Sequence, residues 1–450
     1  MPGAYLFRLT VATRLIDHGG ASTPAPESTT ATELQLDDGR QRQARRYARQ
    51  HHALMLTQFV MGALGIVVLL VTGLSFSLRT ALAGTAAWQP IAHWAPVQVA
   101  AYFGVLYAVY FVLDLPLTYY GGFVLSHRFG LSTQTLGGWI RDLVKGLALS
   151  LVFELAALEL VYALLALTPD AWWLWVGGTL LVFTVLLANL APVLLLPIFY
   201  TLTPLPESEL KARLLALAAR THTRVRGVYS MNMSAKTTAA NAMLAGLGNT
   251  RRIILGDTLL DKFTPDEIEV VLAHELGHQV HADIPKLIAV QTSVTLGGLY
   301  LVNVALHQVV AHVHAYHGLA DVATLPLIAA ALGVFGLVTM PLTNGFGRLV
   351  ERQADAYALD TTHNTAAFIA AMTRLANQNL AEAEPAPWVE FLLHDHPSIG
   401  RRLAFARRYA TAHHNRAVPV EALDAPGYSQ RVFHAAGSCP RRHYTTWSLW

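Results

Sequence analysis

Cysteine is almost missing from this chain of 450 residues: Cys439 stands alone, so no intramolecular disulfide framework can form. Charge is scarce too, at 14% of residues against 53% hydrophobic ones, a balance too apolar for one ordinary soluble domain. The net charge is only +3, and the basic residues follow hydrophobic segments instead of forming one stripe. That distribution argues against nucleic acid as a partner and makes membrane lipids the expected neighbours. The first forty residues contain no apolar run of the kind that ends in a signal-peptide cleavage site, and they read as a flexible tail.

Long apolar runs, by contrast, are plentiful. After a basic cluster of Arg40, Arg42, Arg45, Arg46 and Arg49 comes an uncharged stretch over residues 54–76, long enough to span a bilayer, which takes roughly 20 residues. Further spans are expected at 97–117, 147–167, 172–200, 287–310 and 323–342, six in all. Two polar blocks, 201–286 and 345–410, flank the last pair and should form one soluble domain. Lys and Arg fall almost entirely in one set of connections, whereas the other set holds only Arg79. Basic residues are retained on the cytosolic side, so both termini and both polar blocks are expected in the cytosol.

The expected organisation is a flexible N-terminal tail over 1–50, a four-span membrane region over 51–200, the first part of a protease domain over 201–286, a two-span hairpin over 287–345, the second protease part over 346–410 and a C-terminal tail over 411–450. Asp114, Glu154 and Glu159 lie inside apolar segments, where a carboxylate either lines a wet cavity or hydrogen-bonds between helices. His307, His312, His314 and His317 cluster near the end of the fifth span; with no carboxylate or cysteine completing a set, they read as interfacial histidines.

The chemistry concentrates at residues 264–278. Thr264 suits a helix N-cap, Pro265 the first helical position, and Glu267 completes a capping box. On the helix that follows, His274 and His278 are four residues apart and project from one face, so they can hold one zinc ion. Glu275 is offset by one position, where it can act as general base without occupying a ligand site. A chain with 20 histidines in 450 residues would show this pattern by chance with a probability of roughly 0.03. A third ligand is needed, and Glu351 is the candidate, with Asp355 on the same helical face able to orient His274 or His278. His281 and Asp283 are nearby alternatives; Glu351 is preferred as the oxygen donor expected of a hydrolytic site.

Taken together, RFGLSTQTLG at 128–137, NAMLAG at 241–246, RIILGDTLL at 252–260, HELGH at 274–278, ERQAD at 351–355 and HPSIGRR at 396–402 make the chain resemble the integral-membrane zinc metalloproteases of the type I CAAX prenyl protease family. The resemblance spans most of the chain. It implies one Zn2+ per chain on His274, His278 and Glu351, with Glu275 as base. It further implies Asn241 and Ala242 on an edge strand that receives the substrate, and His396 and Arg402 near the reaction centre as oxyanion stabilisers. Eukaryotic members carry an extra span near the N-terminus, where this chain has a polar tail.

The expected fold is mainly α, a polytopic transmembrane bundle with a cytosolic zincin-like (gluzincin) α+β metalloprotease domain carrying a small β-sheet. The expected function is hydrolysis of peptide bonds in membrane-associated or lipid-modified peptides. The alternatives are quality control of damaged membrane proteins, and a non-enzymatic zinc-containing transporter or scaffold.

Overall fold

The computed structural model of the protein describes residues 35–84, 94–246 and 248–414. Six of its helices are long and apolar enough to cross a bilayer. Their outer faces stay bare, with Val71 79% and Leu342 73% exposed, an arrangement that suits lipid and not water.

Helix α1 (Asp38–Val71) starts earlier than the expected tail allows. Asp37 caps it by accepting from the Arg40 N–H at 2.6 Å, and Gln41 is buried with its amide bonded to Ala381 and Ala383. The tail over 1–50 is therefore corrected: residues 38–50 are helical because the basic segment docks on the second polar block. The span expected at 54–76 lies within α1 and ends earlier, at Val71. Gly73 takes φ 72°, which a helix cannot continue, and the chain restarts as α2 (Leu74–Gly84).

Helix α3 (Ala95–Tyr119) contains Pro116, which has no N–H to donate, and the backbone loosens into a π-helical turn at Tyr120–Leu125 before α4 (Ser126–Arg128). Thr135 caps α5 (Leu136–Leu167). Next, α6 (Trp172–Leu190) passes through a second π turn, containing Pro192, into α7 (Leu196–Phe199). Asp114 links α1 to α3 by accepting from Gln58 at 2.7 Å, which is the interhelical role. Glu154 and Glu159 are half-buried.

The first polar block folds as strand β1 (Leu202–Pro204), helix α8 (Glu209–Arg220), strands β2 (Val228–Met231), β3 (Ala242–Ala245) and β4 (Arg252–Gly256), and helices α9 (Asp257–Lys262) and α10 (Pro265–Val280). The sheet order is β1-β2-β4-β3, with β2 and β4 parallel and the outer pairs antiparallel, so β3 is an edge strand. Helix α11 (Asp283–His312) then crosses back, and α12 (Leu325–Thr362) returns. By its length, at about 1.5 Å per residue, α12 spans the bilayer and still projects some turns into the second polar block. That block continues as α13 (Thr365–Asn379), α14 (Pro387–Leu393) and α15 (Ile399–His414). The C-terminal tail from 415 onward, with Cys439, lies outside the described residues.

At the end of the bundle far from the sheet, Asp321 is paired with Arg79, and Tyr162 donates to the Val322 carbonyl at 3.3 Å. Buried Trp172 donates to Asn303 there at 2.8 Å. This polar and aromatic plug ties α2, α5, α6 and α11 to the start of α12.

Candidate active site

The capping box forms as the sequence requires: the Thr264 N–H donates to Glu267 at 2.7 Å and the Glu267 N–H to Thr264 Oγ1 at 3.3 Å. Ten residues on, the rings of His274 and His278 stand 4.9 Å apart and nearly perpendicular. Helix α12 crosses α10 at Gly277. A Cβ there would meet Ala354 Cα at 3.1 Å and Tyr357 Cβ at 3.2 Å, so only glycine permits this approach without displacement. The crossing delivers Glu351 to the histidines.

Glu351 Oε2 lies 3.2 Å from His274 Nε2, and Oε1 lies 3.4 Å from His278 Nε2. Among the described residues this trio is the one set of metal-capable atoms that converge within 4.8 Å. Donors bound at about 2.0–2.1 Å to one tetrahedral ion lie roughly 3.3–3.4 Å from one another. The observed separations match. Glu351 Oε2 is also buried without a hydrogen bond, which in a native site calls for another partner. The residues therefore fit a bound metal ion. The second histidine group, around His307 to His317, brings no such set together among the described residues.

Both histidines are held from behind. His274 Nδ1 lies 3.0 Å from Asp355 Oδ1, and His278 Nδ1 lies 3.0 Å from Asp283 Oδ2. Each Nε2 is thereby aimed at the centre. Burial opposes a charge on His274, but the carboxylates of Asp355 and Glu351 outweigh it and push its pKa up to about 9. His278 moves in the same direction: burial and the neighbouring His274 oppose its charge, and the carboxylates of Glu351 and Asp283 outweigh them, so proton and metal compete for both Nε2 atoms.

Arg402 closes a fork on Asp355, with Nη2 to Oδ1 at 2.6 Å and Nε to Oδ2 at 2.9 Å, and its Nη2 lies 3.4 Å from His274 Nδ1. It thus meets the ring nitrogen of His274 opposite the one that faces Glu351. His396 is more open, 55% exposed, with Nε2 3.1 Å from Glu351 Oε1 and Nδ1 2.7 Å from Asp395. His281 turns its ring edge to Tyr357 and stays out of the metal-capable set.

Glu275 faces the sheet. Its Oε2 accepts from the Leu244 N–H of β3 at 3.4 Å. On the other side of β3, Asn241 accepts from Gly256 at 2.9 Å, and the register alternates from there, so Ala242 and Leu244 turn their backbone groups away from β4 toward the free edge.

Three features escape a reading of the sequence. Asp283 reaches His278 only because Ala282, at φ 54°, reverses the chain between α10 and α11. Asn379 grips both backbone groups of Ala240, accepting from its N–H at 2.8 Å and donating to its C=O at 3.0 Å, just before β3. The 128–137 loop is stitched to the same segment, with Ser132 bridging Thr237 and Thr133 donating to the Ser234 carbonyl at 2.8 Å. A cap or turn motif in the sequence announces none of these, although Asp283 is a carboxylate five residues past His278.

Comparison with known proteins agrees with this architecture. Residues 204–410 match the model of peptidase family M48, and residues 23–201 match a model described as CAAX prenyl protease N-terminal, five membrane helices. The uncharacterized metalloprotease YhfN of Bacillus subtilis is 30% identical over 352 residues, covering 77% of this chain and 80% of that protein. The CAAX prenyl protease 1 homolog of Oryza sativa is 28% identical over 309 residues, 65% of this chain and 69% of its own length. The crystal structure of S. mikatae Ste24p superposes with a TM-score of 0.74 at 23% identity, covering 82% of this chain and 90% of that one, and so shares the fold. The transporter and scaffold alternative falls away, because the matching families are peptidases. The chain is a multi-pass membrane metalloprotease and belongs to the CAAX prenyl protease 1 branch of peptidase family M48.

Proposed function

We propose that this protease uses one zinc ion, held by His274, His278 and Glu351, to hydrolyse peptide bonds of lipid-modified, CAAX-type peptides on the cytosolic side of its membrane. The observation that carries the reading is the contact of Glu275 with edge strand β3. It supports a base at the strand edge where an extended peptide can add, one residue along the helix from His274. Two imidazoles and a carboxylate are a donor set suited to catalytic zinc. Cytosolic placement rests on the skew of Lys and Arg among the connections, and the lipid-modified substrate on the names of the CAAX prenyl protease relatives.

A bound zinc ion supplies Lewis-acid polarisation of the scissile carbonyl and lowers the pKa of water toward about 7. The chain's own residues do the rest. The backbone groups of Ala242 and the Leu244 C=O offer hydrogen bonds that align the peptide, with Asn241 fixing the start of that strand. Glu275 takes the proton of the attacking water on Oε and passes it to the departing amine nitrogen. His396, open to the site beside Glu351, donates to the developing oxyanion. Arg402 and Asp355 act as positioning residues: the fork holds the carboxylate, and the carboxylate holds His274.

The test compares zinc content and cleavage for the wild type and Glu275→Gln, on a farnesylated CAAX peptide and on the same peptide without its lipid. The expectation is about one zinc in both proteins, cleavage lost by roughly 10²-fold or more in the variant, and preference for the farnesylated peptide. Undiminished cleavage by Glu275→Gln would refute the base assignment. Equal cleavage of both peptides would refute the lipid-modified substrate and favour turnover of membrane proteins at large.

A further inference from the structure

On the side of α12 away from the metal ligands, a groove of about 450 Å³ separates this helix from α14. Its walls include Leu342, Phe346, Arg348, Arg352, Phe391 and Arg401. Three guanidinium groups thus face one carboxylate, Glu390, which is 5% exposed and already engaged by Arg401 Nε at 3.1 Å and the Ser398 N–H at 3.2 Å. The groove is left net positive. Arg348 spends itself on carbonyls at the C-terminal end of α14, including Glu390 at 2.9 Å, and so pins that helix to α12. Arg352 is exposed and has no hydrogen-bond or ion-pair partner among the described residues. Arg401 is 63% exposed.

The position of the groove is as telling as its charge. The apolar part of α12 runs to Leu342, and Arg352 lies ten residues further on, about 15 Å along the axis. A headgroup layer is roughly 5–8 Å deep, and helical side chains lean toward the N-terminus, which here means back toward the bilayer. Arginine adds several ångströms of reach. The apolar wall continues straight into the span: Leu342 is 73%, Leu349 56% and Phe391 56% exposed. Trp388, three residues before Phe391 on α14 and 63% exposed, is a side chain typical of a membrane–water boundary.

We propose that this groove is a binding site for one anionic phospholipid of the leaflet on the metal-site side. Its phosphate lies between Arg352 and Arg401, and its acyl chains run along α12 past Leu342. A free phosphate would satisfy the arginines but leave the apolar wall uncovered. Surface proteins and peptides would have to compete there with lipid already present at high concentration.

The test reads binding and not cleavage, so it stands apart from the fate of the protease reading. The full chain is reconstituted in nanodiscs of phosphatidylcholine with a minor fraction of phosphatidylglycerol, released into mild detergent, and its retained lipids are counted by native mass spectrometry. The wild type should keep about one phosphatidylglycerol in preference to phosphatidylcholine. Arg352→Gln should weaken retention roughly fivefold and the double variant with Arg401→Gln further, following the usual worth of an arginine at an anionic surface. Arg352 has no hydrogen-bond or ion-pair partner among the described residues, so the single variant carries the test if the double variant fails to fold. Absence of preference for phosphatidylglycerol, or equal retention by wild type and Arg352→Gln, overturns the proposal. Displacement of the lipid by millimolar inorganic phosphate alone would reassign the groove to a soluble anion and overturn it too.

Discussion

His278 Nδ1 rests 3.0 Å from Asp283 Oδ2, and Asp283 is the first residue of the fifth membrane-spanning helix. The carboxylate is 1% exposed, in the first turn of that helix. The helix that enters the bilayer therefore also aims one of the two histidines.

Asp283→Asn keeps the shape but loses the charge opposite His278. Zinc affinity should fall by about 10–100-fold, as is usual for partners that orient a ligand. Competition with a calibrated chelator measures it, and an unchanged affinity would remove Asp283 from the site.

Gly277→Ala places a methyl group 3.1 Å from Ala354 Cα, so α12 must back away by a few tenths of an ångström and Glu351 with it. Overpacking of this sort costs about 1–3 kcal/mol. Weaker zinc retention together with a lower unfolding temperature is expected, and Gly277→Val should be worse on both counts. A Gly277→Ala protein indistinguishable from wild type would show that the crossing has slack.

How much of this could be read beforehand divides along physical lines. Periodic and compositional signals survive in sequence: the apolar runs marked the spans, and the capping box with its two histidines marked α10. Glu351 was legible because ERQAD follows the sixth span in a helical pattern. The break at Gly73 was not, since one glycine in an uncharged run is equally compatible with a continuous helix. The part played by Asp283, which the sequence offers only as an alternative ligand, and that of Asn379 were hidden for another reason. Their roles depend on where a left-handed residue, Ala282, or a distant helix end places them, and such long-range placement has no local signature.

Arg402→Ala would leave Asp355, 2% exposed by side chain, as a buried carboxylate without its fork. Breaking one partner of a buried pair costs about 3–5 kcal/mol. Arg402→Lys keeps the charge but not the two parallel hydrogen bonds, and an intermediate loss is expected. Thermal unfolding of the three proteins should rank wild type, then Lys, then Ala. Equal stability of the Ala variant would mean that Asp355 is held by His274 alone.

Asn379→Ala removes both hydrogen bonds to Ala240 and frees the segment that leads into β3. Two lost bonds at about 1 kcal/mol each predict roughly a 30-fold fall in kcat/KM if the edge strand aligns the peptide. The loss should fall on KM as well as kcat, with zinc content unchanged. A fall in zinc content instead would mark Asn379 as a support of the whole domain.

The long helix α12 also sets an order of events in time. Two of the proposed ligands leave the ribosome on α10, before the fifth span is made, whereas Glu351 follows the sixth on the part of α12 that projects from the bilayer. A nascent chain caught between these points has two histidines and a base but no complete site. On this ligand set, activity waits until α12 has been synthesised and docked, which spares the translocation machinery and neighbouring nascent chains from an active enzyme in their midst.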